Sequence, residues 1–476
     1  MSRYEYDLCV IGGGSAGLVT AAGAAQLGAR VALIERARMG GECLNSGCVP
    51  SKALLRSAEV AMLMRRGAEF GLGPTTGSVD LGSVMKHVRD VIREIAPHDS
   101  PERYHAMGVE VIAGDARFTA PHAVDISGCM LSARWFVIAT GSEPLLPPVP
   151  GLGELPILTN ENIFAVCEPV PHLVVLGGGP IGLELAQAFS RLGSTVTVVQ
   201  AAPHVLPRED TDVANAVQKA LEVDGVKIIC GSRAERAAKS SAGISLQVLA
   251  DNHTLLVEGS HLLVATGRRP RLEGLNLEAA GLHTVEGRLP VDTRLRTHQK
   301  HIYACGDVVG PYRFTHMAEH QAGIVLRNII FRIPAKVENR VVPWCTFTDP
   351  EVARVGLSEA EAVQTGVRHE VFRVPFSSVD RAITDRSMTG FVKVIANPRG
   401  KLLGAAIVGA HAGELIHEYA LALRHGLHLK DISAVIHVYP TYSQANRFAA
   451  DMRLKRRLTP AGRRWIKRIF GLHGST

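Results

Sequence analysis

Residues 6–35 read YDLCVIGGGSAGLVTAAGAAQLGARVALIE, and this stretch decides the fold of the chain. An apolar run, Tyr6–Ile11, precedes three glycines, an alanine-rich segment that ends at Leu27 and a second apolar run, Arg30–Ile34. Short apolar runs bounded by glycine favour buried strands, and the segment between them is long enough for a helix. The spacing therefore predicts a strand–helix–strand unit of about 30 residues that binds a dinucleotide.

The glycine turn of this unit satisfies a specific chemical demand. Its first glycine permits a tight turn, the second lets the backbone approach a pyrophosphate, and the third lets helix and strand pack closely. The helix N-terminus adds free N–H groups for the phosphates, and an acidic residue after the second strand binds ribose hydroxyls. The predicted binding residues of this loop are Gly12, Gly14, Ser15, Ala16, Gly17, Glu35 and Arg36.

A second unit of the same kind starts near residue 173. Leu173–Leu176 and Thr195–Val199 are predicted strands, and Leu183–Leu192 is a predicted helix. Glutamine stands where an acid is expected; it can bind a ribose hydroxyl, but it repels a 2′-phosphate less than a carboxylate would. The choice between NADH and NADPH therefore stays open. The predicted binding residues of this loop are Gly177, Gly179, Pro180, Ile181, Gly182 and Gln200.

Composition and charge restrict the class of protein. The 476 residues are 46% hydrophobic and 20% charged, which is typical of globular proteins. No long apolar stretch is free of charge, and Glu5 and Asp7 stand near the start, so neither a membrane span nor a secretory signal is predicted. We expect a cytoplasmic protein. From Met452 onward there are eight basic and no acidic residues, so the remaining body carries +7 − 8 = −1 and is not predicted to bind nucleic acid.

A pair of cysteines follows the first unit. Residues 40–52 read GGECLNSGCVPSK, which places Cys43 and Cys48 five positions apart. Such a pair can be bridged on the first turns of a helix, where the helix N-terminus lowers the pKa of a thiolate. Lys52 adds a cation one turn later. The alternatives are two buried cysteines or half of a zinc site, but no second ligand pair with matching spacing is present. We predict a redox-active pair and no metal site.

With these motifs, the sequence resembles the class I pyridine nucleotide–disulfide oxidoreductases, a family that includes dihydrolipoamide dehydrogenase, glutathione reductase and mercuric reductase. Residues 139–142 (ATGS), 265–270 (ATGRRP), 303–307 (YACGD) and 347–353 (FTDPEVA) follow the family pattern in order. The resemblance implies an α/β fold with two Rossmann-like dinucleotide-binding domains plus an α+β dimerisation domain. The implied boundaries are 1–150 and 286–338 for the FAD-binding domain, 151–285 for the NAD(P)-binding domain, 339–451 for the dimerisation domain and 452–476 for a basic tail.

The resemblance also implies roles for individual residues. Cys43 would attack the substrate, Cys48 would face the flavin, and Lys52 would pair with Glu184 near the flavin. Asp307 would hold the ribityl chain of FAD. Electrons would pass from NADH or NADPH to FAD, then to the disulfide and the substrate. The further cofactor-binding residues that it implies are Gly41, Glu42, Cys43, Lys52, Gly114, Thr140, Gly141, Ser142, Gly267, Gly306, Thr315 and His316.

The sequence departs from the family at its acid/base residue. Disulfide reductases carry a His-Pro-Thr segment with a glutamate five residues after the histidine, whereas residues 437–444 read HVYPTYSQ. Tyr439 takes the histidine position, and a tyrosine, with a pKa of about 10, is a poor base at neutral pH. His437 would replace the base only if the backbone turned it toward the thiols; otherwise it is a packed histidine. A tyrosine here is similar to mercuric reductase, but the tail lacks that enzyme's cysteine pair, and no N-terminal metal-trapping domain is expected before Tyr6.

The leading hypothesis is a homodimeric FAD-dependent NAD(P)H oxidoreductase that reduces a disulfide, small or protein-borne, or a soft metal ion, as mercuric reductase does. Dihydrolipoamide dehydrogenase is one alternative. A diaphorase or quinone reductase at a membrane surface is another, because the tail has apolar and basic faces. A non-catalytic redox-sensing module is a third. The apolar face would hold Trp465, Ile466, Ile469 and Phe470, opposite Arg464, Lys467 and Arg468. Peripheral membrane contact through this tail competes with a frayed terminus or packing on a partner subunit.

Overall fold

The computed structural model describes residues 4–73, 77 and 79–474. Residues 1–3 of the predicted FAD-binding domain, residues 74–76 and 78 of the same domain, and residues 475–476 of the predicted tail lie outside the described residues. The chain divides into two compact units. Unit 1 comprises 1–67, 73–201 and 231–338, and unit 2 comprises 68–72, 202–230 and 339–476.

Unit 1 contains both predicted nucleotide motifs. Its strands are β1 (Tyr6–Ile11), β2 (Val31–Glu35), β3 (Val109–Ala113), β4 (Ala116–Ala120), β5 (Ala123–Ile126), β6 (Cys129–Ile138), β7 (Ser142–Pro144), β8 (His172–Leu176), β9 (Thr195–Val199), β11 (Arg233–Ser240), β12 (Gly243–Ala250), β13 (His253–Gly259), β14 (His261–Val264), β15 (Arg268–Pro270) and β16 (Ile302–Ala304). Its helices are α1 (Ser15–Gln26), α2 (Gly41–Ser46), α3 (Cys48–Arg65), α4 (Leu81–Ile95), α5 (Pro101–Ala106), α6 (Pro180–Arg191) and α8 (Thr315–Ile329).

The first sheet places the predicted FAD motif at its centre. Strands β3, β2, β1 and β6 lie side by side, and β1 pairs in parallel with both β2 and β6. The second half of β6 also pairs with β16 in parallel, whereas its first half pairs with β5 in an antiparallel manner. Because helices cover a parallel sheet on both faces, its strands are almost continuously apolar. Leu8, Val10, Leu33 and Val137 are fully buried accordingly.

The second motif forms a smaller parallel sheet. β8 pairs with β9 on one side and with β14 on the other, and β11–β13 form a separate antiparallel sheet. Helix α6 starts at Pro180, three residues before the predicted start at Leu183. Proline is favoured at the first helical position because its missing N–H has no intrahelical partner there. The predicted strands of both motifs agree with the observed ones within one residue at each end.

The fold leaves no room for a side chain at Gly17. A Cβ at Gly17 would lie 1.8 Å from the carbonyl oxygen of Gly12, at the point where α1 crosses the end of β1. We expect Gly17→Ala to yield protein without bound flavin or no folded protein, because backbone atoms cannot move away as a flexible side chain can. Gly153→Ala is the matched control, since a Cβ there meets nothing within 4 Å. Flavin absorbance of the purified variants and their thermal unfolding would measure the effect; a Gly17→Ala protein with full flavin content would contradict it.

Unit 2 contains an antiparallel sheet with helices. Its strands are β10 (Val226–Ile229), β17 (Trp344–Thr346), β18 (Glu351–Gly356), β19 (Glu370–Pro375), β20 (Phe391–Ala396) and β21 (Leu402–Gly409). Its helices are α7 (Thr211–Val223), α9 (Glu359–Gln364), α10 (Asp380–Thr384), α11 (Ala412–Arg424), α12 (Leu429–Ser433), α13 (Gln444–Arg457) and α14 (Pro460–Phe470). The sheet order is β17-β18-β21-β20-β19. This mixture of strands and helices is the α+β texture that the sequence predicts.

An ion cluster stabilises unit 2 beneath its sheet. The ammonium group of Lys393 on β20 lies 2.8 Å from Asp210, 2.7 Å from Asp212 and 3.1 Å from Glu359. Its side chain is only 2% exposed. A buried ammonium is tolerated only when it is paired, and removing one partner of such a cluster is more destabilising than its net contribution suggests. The cluster therefore fixes the segment around residue 210 to β20.

No helix of the described residues is both long and apolar enough to cross a lipid bilayer. The predicted tail is helical: Arg457 ends α13, and α14 follows after Leu458 and Thr459. The Thr459 side chain accepts a hydrogen bond from the Gly462 N–H at 3.1 Å, which caps α14. The tail thus continues unit 2 as a defined helix.

Candidate active site

The two nucleotide loops of unit 1 have the same internal hydrogen bond. The N–H of Gly13 donates to the Glu35 carboxylate at 2.6 Å, and the N–H of Gly178 donates to the Gln200 side-chain oxygen at 2.9 Å. In each loop, the residue at the end of the second strand, Glu35 or Gln200, holds the turn before the helix. Gln200 therefore takes the structural place of an acid without adding a negative charge. A glutamate has spare acceptor capacity for ribose hydroxyls beside this bond.

The helix N-termini behind these loops fit phosphate groups. Gly14 and Gly179 are the N-caps of α1 and α6, and neither helix has a side-chain cap. A Cβ at Gly14 would have only the Cα of Gly41 near it, at 3.7 Å, and a Cβ at Gly179 would meet nothing within 4 Å. The protein therefore leaves room at both N-cap glycines, and a helix N-terminus with such room suits the pyrophosphate of a dinucleotide. Ser15, Ala16, Pro180 and Ile181 form the first turns of these helices.

Most other predicted cofactor residues lie around the first loop or on the strands beside it. Gly114 donates its N–H to the Glu35 carbonyl at 3.0 Å. The Thr140 hydroxyl donates to the Arg271 carbonyl at 2.6 Å, and Gly306 donates its N–H to Gln321 at 2.7 Å. Gly141 and Gly267 adopt positive φ angles of 74° and 135°. Arg36 is placed differently: it is exposed and 4.0 Å from Asp115.

Asp307, the predicted ribityl-binding residue, is held by Ser142. The Ser142 hydroxyl donates to the Asp307 carboxylate at 2.8 Å and accepts a hydrogen bond from Arg268 at the same distance. Burial raises the pKa of Asp307. The Ser142 hydroxyl is therefore engaged by protein groups on both sides and orients Asp307.

The cysteine pair lies on two helices rather than on one. Cys43 belongs to the short helix α2, Gly47 interrupts the chain with φ −127° and ψ −113°, and Cys48 starts α3. A Cβ at Gly47 would lie 2.9 Å from the carbonyl oxygen of Glu42, so this break requires a glycine. Both cysteines are free thiols in this structure.

The two thiols differ strongly in acidity. The Cys43 thiol donates a hydrogen bond to Cys48, which lowers the pKa of Cys48 to about 6, and the bond to Cys48 raises the pKa of Cys43 strongly. Thr315 lies 3.5 Å from the Cys48 sulfur and further lowers its pKa. Cys48 and Thr315 are the first residues of α3 and α8, so two helix N-termini converge on the sulfur, as a thiolate prefers. Beside Thr315, His316 stacks on Phe314 with 5.2 Å between ring centroids.

Lys52 and Glu184 form an ion pair next to this thiolate. The Lys52 ammonium donates to the Glu184 carboxylate at 2.8 Å, and the Glu184 side chain is 8% exposed. The charge of Lys52 lowers the pKa of Cys48, and that of Glu184 raises it. The pair thus places a tethered cation beside the sulfur.

This geometry predicts opposite effects for the two partners. Lys52→Met should raise the pKa of Cys48 above 6, so that less thiolate remains at pH 7, whereas Glu184→Gln should lower it, because the neighbouring negative charge is lost. The thiolate is present above the pKa and is lost as the pH falls through it. Titration of thiolate absorbance in the dithiol enzyme would measure both shifts. Shifts of the same sign in the two variants would contradict the arrangement.

A buried cluster that the sequence does not reveal holds the loop between the cysteines. Glu42 pairs with Arg268 and accepts a hydrogen bond from the Asn160 amide at 2.5 Å. The same amide lies 3.2 Å from the carbonyl oxygen of Ser46. Burial raises the pKa of Glu42 to about 7, and Arg268 opposes this rise. Glu42, which is also a predicted cofactor-binding residue, anchors α2 through these contacts and thereby positions Cys43.

The predicted acid/base residues lie in unit 2. The Tyr439 hydroxyl donates to the Asp380 carboxylate at 3.0 Å, which raises the pKa of Tyr439. The side chain of His437 is 5% exposed; one ring nitrogen lies 3.0 Å from Glu418 and the other 3.0 Å from the Val435 carbonyl oxygen. Both nitrogens of His437 are therefore engaged by acceptors, as in a packed histidine. Asp380 and Glu418 are far from these partners in sequence, so no local pattern predicts either contact.

A family model described as pyridine nucleotide-disulphide oxidoreductase matches residues 6–322. The chain belongs to this family. The model of the family's dimerisation domain matches residues 342–450. The chain is therefore an NAD(P)H-dependent flavoprotein disulfide oxidoreductase that uses FAD, and the alternative of a non-catalytic redox-sensing module is not retained. The predicted fold class is confirmed, and the presence of the dimerisation domain supports a homodimer.

Relatives within the family differ in their named activities. A mercuric reductase from Bacillus cereus is 35% identical over 449 residues, which cover 94% of this chain and 71% of that protein. A dihydrolipoyl dehydrogenase from Chlorobaculum tepidum is 35% identical over 455 residues, which cover 94% and 96%. A solved structure of the HOCl-induced flavoprotein disulfide reductase RclA from Escherichia coli, as a Cu(II) complex, matches with a TM-score of 0.84 and 29% identity, and covers 95% of this chain and 100% of that one.

Proposed function

We propose that this chain is a homodimeric, cytoplasmic NAD(P)H-dependent reductase whose acceptor is a thiophilic metal ion, mercuric or cupric, bound at Cys43 and Cys48. The observation that carries the proposal is the hydrogen bond from Tyr439 to Asp380. In the disulfide reductases that the chain resembles, a histidine takes this position and moves the proton of the thiol. Here the phenol keeps its proton, because the Asp380 carboxylate holds it and raises its pKa.

Whether the reaction needs an acid/base histidine depends on the acceptor that is reduced. Reduction of a disulfide substrate releases a thiolate that must be protonated, and a histidine that titrates near neutrality supplies that proton efficiently. Reduction of a metal ion places the electrons on the metal and releases no such leaving group. A chain with a thiol–thiolate pair in unit 1 and, at the family's acid/base position in unit 2, a tyrosine that keeps its proton therefore fits the second reaction better.

The proposed reaction balances without a further reactant. NAD(P)H loses two electrons and one proton and becomes NAD(P)⁺; one mercuric ion takes both electrons, or two cupric ions take one electron each. Cys48 offers a thiolate at neutral pH, since its pKa is about 6. Cys43 becomes a second thiolate when it loses its proton to solvent on binding the metal. Soft thiolate ligands select such ions over harder cations.

The unit 1 residues described above would hold the cofactors. The first loop, with Gly12, Gly14 and Gly17, would take the pyrophosphate of FAD, and Glu35 would take a ribose. The second loop and Gln200 would take NADH or NADPH. When bound, FAD supplies the two-electron relay between nicotinamide and the cysteine pair. The chain's own part is to orient these groups, to keep Cys48 ionised and to place Lys52 beside it.

The named activities of matching proteins support this choice of acceptor. Three matching proteins are mercuric reductases, from Bacillus cereus, Lysinibacillus sphaericus and Staphylococcus aureus. The RclA structure is a complex with Cu(II). The dihydrolipoyl dehydrogenases among the relatives favour lipoamide as the alternative acceptor.

A panel of acceptors tests the proposal. The holoenzyme would be assayed anaerobically with NADH and with NADPH against thiol-bound mercuric ion, cupric ion, lipoamide, glutathione disulfide and a quinone. We expect kcat/KM for one of the two metal ions to exceed that for lipoamide by at least about tenfold. Preferred turnover of lipoamide or glutathione disulfide would contradict the proposal.

A second candidate function is a diaphorase or quinone reductase that works at a membrane surface. Helix α14, which has no buried residue, favours it. This reaction would bypass the cysteines, so Cys43→Ser would leave quinone reduction intact while abolishing metal reduction. Equal loss of both activities in that variant would exclude it.

A further inference from the structure

We propose that helix α14 docks the protein on an anionic membrane surface. The helix extends from Pro460 to Phe470 and has no buried residue, although four of its side chains are large and apolar. Trp465 is 72%, Phe470 70% and Ile469 56% exposed. An amphipathic helix that packs on its own protein buries its apolar face. This helix does not, so its apolar face is available to an external partner.

Apolar and basic side chains lie on opposite faces of helix α14. At about 100° per residue, the large apolar side chains cover about 140° of the circumference. They are Trp465, Ile469, Ile466 and Phe470. The basic residues cover the opposite arc of similar width: they are Arg463, Lys467, Arg464 and Arg468. Such a helix lies in the interface plane, with aromatic and aliphatic groups at the acyl boundary and cations among the phosphates.

The positive charge of the tail distinguishes between three possible partners of this helix: a second copy of the chain, a nucleic acid and an anionic lipid surface. Residues 452–476 contain eight basic residues and no acidic residue. A second copy of the same helix would bring like charges together, which opposes self-association. A nucleic acid would bind the cations but leave Trp465, Ile469 and Phe470 in water. An anionic lipid surface satisfies both faces at once, because it attracts polybasic segments and accepts apolar side chains.

The link to the body makes this docking relevant to the whole protein. Only Leu458 and Thr459 separate α14 from α13, and the Thr459 cap fixes the start of α14. Helix α13 is itself fixed in unit 2, since Arg453 is buried and donates to the Pro398 carbonyl at 2.9 Å. A bound α14 would therefore hold unit 2 at the lipid surface. This inference does not depend on which acceptor the enzyme reduces.

Vesicle binding of the full-length holoenzyme tests the proposal. Protein would be sedimented with vesicles of phosphatidylcholine alone or with roughly one third phosphatidylglycerol, at low salt and at about 0.5 M NaCl. We expect at least about tenfold more protein to sediment with the anionic vesicles, most of it released by salt, and a blue shift of Trp465 emission on binding. Failure to bind anionic vesicles, or equal binding to both vesicle types, would overturn the proposal.

Two variants and two controls separate the faces of the helix. Ile469→Ser with Phe470→Ser removes apolar groups, and Arg464→Glu with Lys467→Glu inverts charge; both should abolish sedimentation but not NAD(P)H oxidation in solution, because no α14 residue is buried. Leu256→Ser and Lys239→Glu, on exposed positions of unit 1, should bind as the unaltered protein does. Unchanged binding of the tail variants would overturn the proposal. So would a changed oligomeric state of these variants in size-exclusion chromatography, since the helix would then belong to a subunit contact.

Discussion

Replacement of Cys43 by serine should abolish reduction of the metal acceptor, with a loss in kcat of about 10³-fold or more, as is typical when a nucleophile is removed. Cys43 supplies the proton that stabilises the Cys48 thiolate, and in the proposed reaction it would supply the second sulfur that binds the acceptor. Cys167→Ser is the matched control, because Cys167 is an exposed thiol of the same unit that lies beside Arg89. Steady-state oxidation of NAD(P)H with each acceptor would measure the loss.

Replacement of Cys43 by alanine should have a second, independent consequence, for the pKa of Cys48. Without the Cys43 thiol, the main cause of the lowered pKa of Cys48 is gone, and Cys48 should be mostly protonated at pH 7. In the unaltered dithiol enzyme, the thiolate is present above pH 6 and disappears as the pH falls through that value. A Cys43→Ala variant that keeps a pKa of about 6 at Cys48 would contradict the pairing of the two thiols.

Restoring the family's acid/base pair should change the acceptor of the enzyme. Tyr439→His combined with Gln444→Glu should raise kcat for lipoamide or glutathione disulfide by about 10²-fold or more, since a positioned general acid or base contributes about that much. Reduction of mercuric or cupric ion should change little, because no leaving thiolate has to be protonated. Disulfide turnover should then depend on a group that titrates near neutral pH.

Two control variants distinguish a gain in disulfide turnover that is due to the new acid/base pair from one that is due to a change in local structure. Tyr442→Phe removes a neighbouring phenol, which donates to Asp385 at 3.1 Å, and it should leave both activities unchanged. Asp380→Asn removes the negative charge beside the Tyr439 hydroxyl and should lower the pKa of Tyr439. If the double variant gained no disulfide turnover while its metal reduction survived, the tyrosine would not be what limits disulfide chemistry.

Local sequence patterns predict the nucleotide loops well, because the residues that form each loop are close together in the sequence. Glycines at fixed spacing between apolar runs predict both strands of each motif within one residue of the observed strands. The residue after each second strand also follows from spacing, and the structure shows Glu35 and Gln200 making equivalent bonds. Helix α6 started earlier than predicted because a proline at a first helical position is favourable.

The cysteine loop was predicted less completely, because the structure depends on distant partners. The spacing of Cys43 and Cys48 suggested one helix, but Gly47 divides it into two. Glu42 and Asn160 are 118 positions apart, and Tyr439 and Asp380 are 59 apart. No periodicity links such residues, so only the folded chain reveals that Glu42 anchors the loop and that Asp380 holds the phenol.

Reductive titration tests the central claim, a thiol–thiolate pair in redox contact with the flavin, most directly. Anaerobic titration of the oxidised holoenzyme should consume about four electrons per subunit, two for FAD and two for the disulfide, whereas Cys43→Ser should consume about two. After the first two electrons, a long-wavelength absorbance from a thiolate beside the flavin should appear in the unaltered enzyme and fade below pH 6. An unaltered enzyme that takes up only two electrons and never shows this absorbance would contradict the account.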